Sequence, residues 1–327
     1  MKKIYENPDI YVIKVPLPGN PLRELNSYLI LSAEEALIID TGFKHPKSKA
    51  ALMEALEELR IDRQNLKIFL THLHTDHIGL ADELAGENTV VYMSGEDYKR
   101  YRESLDPAHW KESDALFLQE GFSKEGLEQI VTTNPARKYM PERVFEASCI
   151  SDGEKLYVGN NELICVQTNG HTPGHFSLYL PEEEIMFLGD HILYDITPNI
   201  TAWMGVEDSL GDYLKNLDKI KKYPMQMALP GHRKVSKPVK ERIEEIKRHH
   251  QIRLDGTIQI IKERPGSNAD EIAALLKWSM RGKSWEEFPM EQKWFAVGET
   301  IAHLDYLRHE NVIAKELVDG IYQYYMK

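Results

Sequence analysis

The stretch FLTHLHTDHIGLADEL, Phe69 to Leu84, decides how this chain is read. It places three of the chain's 13 histidines within six residues, with an aspartate between them. The motif is entered from LKIF, a short apolar run of strand length, so a buried strand is expected to lead straight into it. On extended backbone His72, His74 and Asp76 stand at i, i+2 and i+4 and face one way. A helix is expected over residues 77–84, and His77, at its start, points elsewhere. One short turn thus offers ligands in two directions, which is what a pair of adjacent metal ions requires. Imidazole and carboxylate suit zinc, and also iron or manganese.

Two four-coordinate ions need further ligands. Three positions supply them: His171 in TNGHTPGH, Asp190 in FLGDH and His232 in ALPGH, the last two directly after apolar strands. A single histidine after a strand is more often a structural hydrogen-bonding residue than a ligand. Three such positions following the first motif in chain order strengthen one another.

The composition is that of an ordinary globular protein, and 327 residues suggest about two domains. Two cysteines, Cys149 and Cys165, make no disulfide framework and fit a reducing compartment. The first residues hold no apolar run of signal-peptide length, and no segment approaches the roughly 18 apolar residues of a membrane span. A cytoplasmic protein with no membrane partner is expected. The net charge is -12; residues 236–327 hold 15 basic and 15 acidic side chains, so the first 235 residues carry all of it. Such a surface repels a long polyanion except where a local cation intervenes, which weighs against nucleic acid.

Short apolar runs alternate with turns and helical patterns through residue 235. Strands are expected in IYVIKV, NSYLILS, EALIID and TVVYMS, with a helix near Pro46–Leu59. Two hairpins follow, one turning at Gly159-Asn160, then a helix near Asp208–Lys222 and a short strand in QMALP. Two similar strand-rich halves with helices imply two packed sheets covered outside by helices. Gly95 to Arg143 reads as a helical insertion, either a lid or a solvated excursion. The division is therefore residues 1–235, with that insertion near 95–143, and a mostly helical tail, 236–327. The tail reads as three helices, with cap candidates Ser267 and Asn268 before the second, and a closing hairpin around Asp319-Gly320, a winged-helix pattern.

The series H-x-H-x-D-H, H-T-P-G-H, L-G-D and L-P-G-H resembles the metallo-β-lactamase superfamily over roughly residues 5–235. The resemblance implies an αβ/βα sandwich in the α/β class, followed here by the smaller winged-helix-like domain. It implies one ion held by His72, His74 and His171, another held by Asp76, His77 and His232, and Asp190 bridging them. Zinc is the expected metal, with iron or manganese as alternatives. Position 190 is Asp rather than the Cys of many zinc β-lactamases, and position 74 is His rather than the Glu of diiron relatives. Antibiotic hydrolysis and oxygen reduction are therefore not expected. The motifs are similar to those of glyoxalase II and the homoserine-lactone hydrolases. The tail is similar to a domain appended to a β-lactamase-like branch, some of whose members cut RNA.

The expectation is a dinuclear hydrolase whose bridging hydroxide attacks a thioester, ester or lactone, with Asp76 orienting the nucleophile and moving a proton. Its alternatives are a metal-dependent ribonuclease and a nucleic-acid-binding regulator with a vestigial metal site. Asp40, in DTG, resembles a family residue that supports the metal loop, and is either that support or a plain turn residue; His175 is expected to stabilise its own turn rather than bind metal, with His191 a bystander. Tyr194 is either a donor to a substrate carbonyl or a core tyrosine, and Arg233 either meets an anionic group or lies at the surface. Trp203 and Met204, with His109 and Trp110, either line a substrate pocket or simply pack. A small-molecule substrate is expected, and the tail's balanced charge favours packing or homodimerisation over nucleic acid.

Overall fold

The computed structural model describes residues 1–32, 35–141, 143–279 and 284–327. Seven strands form the first sheet in chain order: β1 (Lys2–Glu6), β2 (Asp9–Pro16), β3 (Glu24–Leu31), β4 (Ala36–Ile39), β5 (Leu66–Phe69), β6 (Val90–Ser94) and β7 (Ser148–Ile150). The first four pair antiparallel and the rest parallel. Parallel neighbours need crossovers. These are α1 (Pro46–Glu58), the pair α2 (Thr75–Ile78) and α3 (Ala81–Leu84), and an insertion of α4 (Gly95–Ser104), α5 (Pro107–Gln119), α6 (Lys124–Ile130) and α7 (Pro135–Lys138). The second sheet holds β8 (Lys155–Val158), β9 (Asn161–Gln167), β10 (Phe176–Leu180), β11 (Ile185–Gly189) and β12 (Met227–Pro230), in the order β12-β11-β10-β9-β8, with α8 (Ser209–Ile220) before β12.

Alternation along the strands explains the layers. Ile30, Leu37, Ile39 and Phe69 point between the sheets and meet Leu163, Cys165, Leu178 and Phe187. Their neighbours Leu29, Ile38 and Ile68 point outward to Leu52 and Leu56 of α1. In the second sheet Val166, Met186 and Leu188 point outward to Leu210 and Leu217 of α8. Strands buried on both faces read as continuous apolar runs.

The tail comprises α9 (Val239–Glu263), α10 (Ala269–Leu275), α11 (Met290–His309) and the hairpin β13 (Ile313–Val318) to β14 (Ile321–Met326). Asn268 caps α10 in a reciprocal capping box with Glu271. Asp319 and Gly320 both take positive φ, 50° and 84°, as a tight two-residue hairpin turn requires. The order of three helices and a hairpin agrees with the expected tail, and only that order bears on the winged-helix pattern. Ile243 and Ile246 of α9 and Val297 and Ile301 of α11 share one core with α8 and the outer face of the second sheet. Among the described residues no helix is long and apolar enough to cross a membrane.

Two expectations need correction, and two strands were not expected at all. The helix over residues 77–84 is two single turns, α2 and α3, broken at Gly79. There the chain passes so close to its neighbours that a Cβ would lie 2.5 Å from Lys44 N and from Thr75 O. Asp76 lies within α2 rather than on extended backbone, so it does not share a face with His72 and His74. The edge strands β1 and β7 carry no apolar run and were not anticipated.

Candidate metal centre

Strand ends deliver the side chains to one edge of the sandwich. The bend after β5 carries His72 and His74, α2 carries Asp76 and His77, and the β9–β10 connection carries His171. Asp190 follows β11 and His232 follows β12. The two sheets are tied at this edge: Asn26 of β3 donates through its side-chain amide to Pro230 O (2.9 Å) and Arg233 O (2.9 Å), and Tyr28 donates to Pro230 O (2.8 Å).

The seven expected residues come together. His72, His74 and His171 have ligand atoms within 4.8 Å of one another, as do Asp76, His77 and His232. Asp190 lies between the two groups. Its Oδ1 is 3.6 Å from His77 Nε2, and its Oδ2 is 3.8 Å from His171 Nε2 and 3.6 Å from His232 Nε2. His232 Nε2 is also 3.3 Å from Asp76 Oδ2.

The outer hydrogen bonds select the tautomers. His77 Nδ1 donates to Asp40 Oδ2 (2.7 Å), His171 Nδ1 to Asn199 O (2.8 Å) and His232 Nδ1 to Glu24 O (2.9 Å). In its neutral form each ring turns a bare Nε2 lone pair inward. His77 Nε2, His171 Nε2, His232 Nε2 and Asp190 Oδ1 are buried without a hydrogen-bond partner. Orphaned lone pairs of this kind are costly unless a cation meets them, so the residues fit a divalent metal.

The electrostatics agree. Burial, reinforced by the neighbouring imidazoles, drives His72 far below the usual histidine range. Burial likewise holds His74 down at about 3. Burial also opposes charge on His77 and His232, but the surrounding carboxylates prevail and both are raised: Asp40, Asp190 and Asp76 around His77, Asp190 and Asp76 around His232. Against the same burial, the nearby histidines hold Asp76 down at about 2 and Asp190 well below the carboxylate range. Negative charge that draws protons to two rings draws a cation equally.

A second layer fixes these groups. Asp40 accepts from Thr71 N (2.9 Å), Thr71 Oγ1 (2.8 Å) and His77, in contact with the histidine loop. His175 Nδ1 meets Thr168 Oγ1 at 2.8 Å, and its Nε2 accepts from Asp190 N (3.1 Å), so it steadies the turn. Asp97 was not anticipated. It accepts from Leu73 N (2.9 Å), Thr172 Oγ1 (2.6 Å) and Gly174 N (2.7 Å), joining the two histidine loops. His191 is buried with both ring nitrogens unpartnered.

The remaining candidates divide. Trp203 stacks on His74 with centroids 6.0 Å apart, donates to His171 O (3.3 Å) and lies under Arg100, so it borders the cluster. The Met204 carbonyl accepts from Arg100. Tyr194 packs in the core shared with α9 and keeps a buried, unpartnered hydroxyl. Arg233 turns away to donate to Pro21 O (3.1 Å). Trp110, in edge contact with His109, lines a cavity of about 450 Å³ within the insertion, together with Leu105, Arg137 and Met140. The insertion touches the metal loop where Thr75 Oγ1 donates to Pro135 O (3.1 Å).

A two-sheet sandwich that converges five histidines and two aspartates at one edge defines a class of metal-binding hydrolases. The chain belongs to the metallo-beta-lactamase superfamily, whose family model matches residues 21–232. The metallo-beta-lactamase-like C-terminal domain matches residues 254–327. Among solved structures, a metallo-beta-lactamase family protein from Thermus thermophilus is 30% identical, with a TM-score of 0.80 over 97% of this chain and 98% of that one. The beta-lactamase-like protein 2 homolog of Caenorhabditis elegans is 26% identical over 243 residues, 74% of this chain and 67% of the relative. The atrochrysone carboxyl ACP thioesterase of Aspergillus fumigatus is 26% identical over 247 residues, 72% of this chain and 59% of the relative.

Proposed function

We propose that this hydrolase cleaves a small acyl substrate, a thioester in first place and an ester or lactone otherwise, at a dinuclear centre. His72, His74 and His171 would hold one ion, Asp76, His77 and His232 the other, and Asp190, lying between the two groups, would serve both. The observation that carries the reading is the set of buried, unpartnered ligand atoms on His77, His171, Asp190 and His232, all aimed into one cluster. Zinc suits this donor set, and iron or manganese accept it too. Divalent ions at such a site supply a Lewis acid for the acyl carbonyl and acidify a water molecule. Asp76, beside His232, would orient the attacking water and pass its proton on toward the leaving group. Trp203, stacked beside His74, walls the substrate side.

The thioesterase named among the relatives supports the thioester over the lactone. The charge distribution supports a small substrate over RNA, because the first 235 residues carry the whole net charge of -12 and the tail adds no positive excess. That balance also supports packing or self-association as the tail's role.

A direct comparison tests the reading. The metal-loaded protein is expected to hydrolyse a short acyl thioester much faster than single-stranded RNA in the same buffer, and His72→Ala with His74→Ala is expected to abolish the activity. Efficient RNA cleavage with no turnover across thioesters, esters and lactones replaces this reading with the nuclease one.

A further inference from the structure

The supports of the ligand histidines differ in origin. Asp40 behind His77, Glu24 behind His232 and Thr71 behind His72 all lie on or directly after strands of the first sheet. His74 meets only the His72 ring, at 3.0 Å, and among the other four His171 is the exception. Its Nδ1 donates to the carbonyl of Asn199, on the long connection between β11 and α8. Arg100 holds that connection at Met204 O and Tyr213 at His191 O, and the tail holds it between these points. Arg242 of α9 donates to Leu193 O (2.6 Å) and Ile196 O (2.9 Å). Ala202 N donates to Gly298 O (3.1 Å), and α11 approaches so closely that a Cβ on Gly298 would lie 2.3 Å from Thr201 Oγ1. Asn199 itself is held by its side chain, whose Nδ2 donates to Glu299 Oε2 (3.1 Å) and, at 3.4 Å, to Phe295 O.

Glu299 is buried, with Arg253 at 3.4 Å and His249 at 3.8 Å from its Oε1. Together with His250, His249 and Glu299 bring three ligand-capable atoms close together. The Arg253 guanidinium already supplies the countercharge there, which sets this cluster apart from a cation site. What the cluster does instead is fix the carboxylate in place. A fixed acceptor fixes Asn199, and Asn199 sets both the tautomer and the tilt of His171.

We propose that Glu299 is a positioning residue for His171, acting through Asn199, so that the C-terminal helix α11 tunes the metal centre of the sandwich. The inference rests on the dinuclear reading above. Outer partners of metal-bound histidines typically change metal affinity by about 10- to 100-fold. The test is zinc affinity of the full chain by chelator competition, with no substrate present. Asn199→Ala keeps the carbonyl that His171 uses and removes the side-chain link to Glu299 and Phe295, leaving the Ala202–Gly298 bond in place; its position is partly exposed, so the fold tolerates it. We expect it to weaken one of two zinc ions about tenfold, near the lower end of that range. Glu299→Ala should match it, and the double variant should be no weaker than either single, because both cut one path. Glu299→Gln keeps an acceptor oxygen for Asn199 Nδ2 and should restore most of the affinity. Ile301→Val, a core change on the same helix, should lower thermal stability and leave zinc affinity unchanged. Wild-type affinity in Asn199→Ala, or losses that multiply in the double variant, overturns the inference while leaving the dinuclear reading intact. A wild-type chain that binds no zinc, iron or manganese overturns both.

Discussion

Asp40 sits just after β4 with φ 62°, a left-handed conformation that turns its carboxylate back beneath the metal loop. Two oxygens serve Thr71 N, Thr71 Oγ1 and the His77 ring, so one residue sets the start of the loop and the tautomer of a ligand. Replacing it removes both functions at once. Asp40→Ala is expected to lower affinity for the ion at His77 by about 10- to 100-fold. It should also cost about 1–3 kcal/mol of stability, because Thr71 N–H is left buried and unpaired. Metal titration and denaturant unfolding read the two effects separately; unchanged metal affinity would show Asp40 to be a turn residue only. His72, His74, His171, Asp190, His232 and Asp40 were legible because each follows a strand, where residue type and turn context state a role; Asp76 and His77 came with the H-x-H-x-D-H motif, although both stand on α2. Asp97 was not. In SGED it reads as an acidic residue in the first turn of a helix capped by Ser94, a place acids take for the helix dipole alone. Only the fold shows that Leu73, Thr172 and Gly174 arrive at its oxygens. Asn199 and Glu299, 100 positions apart, leave no local pattern at all.

At the scale of elements, the strands that sequence reveals most plainly are those buried on both faces. Their apolar runs are long enough to distinguish from helix by length and β-branching. β1 and β7 stayed hidden because edge strands need no such run: β1 has the sequence KKIYE, and β7 spans three residues with only Ile150 buried. The helix after the histidine motif was misjudged for the opposite reason. Its apolar spacing is helical throughout, and the break comes from a tertiary constraint, the close approach of Lys44 N and Gly42 O to Gly79. That break lets α2 present Asp76 and His77 while α3 returns to the first sheet's outer core. A methyl group at Gly79 has no flexible side chain to displace, only backbone. Gly79→Ala should therefore destabilise the fold by about 1–3 kcal/mol, the usual range for overpacking, and not gain the helix propensity that alanine brings elsewhere. Urea unfolding of the two proteins measures the difference, and an unchanged midpoint would mean that the loop yields where the geometry says it cannot.

Over the whole molecule, the tail completes the outer layer of the second sheet. Leu254, Ile261, Val297 and Leu304 share a core with Met186 and Leu188. In that seam, against Tyr213 of α8, α9 and α11 bury a pair of histidines outside the seven candidate ligands, His250 and His303. His303 Nδ1 donates to Glu299 O (2.7 Å), so its Nε2 is the acceptor for His250 Nδ1 at 3.1 Å, and the arrangement holds only while His303 is neutral. Burial enforces this, pushing His303 down to about 4 and His250 well below the ordinary histidine range. In the unfolded chain both rings titrate near 6.5. Between pH 6.5 and about 4 unfolding therefore takes up protons that the folded state refuses, and stability falls as the pH falls through that window. Each ring contributes up to about 1.4 kcal/mol per pH unit there. The metal-free protein should thus lose stability steeply between pH 7 and 5. His303→Gln keeps an amide oxygen to accept from His250 Nδ1 and cannot titrate. Its loss of stability over the same interval should be smaller by about one proton's worth, which unfolding in urea at the two pH values measures. If the variant loses as much stability as wild type over that interval, the buried pair is not what makes the fold sensitive to acid.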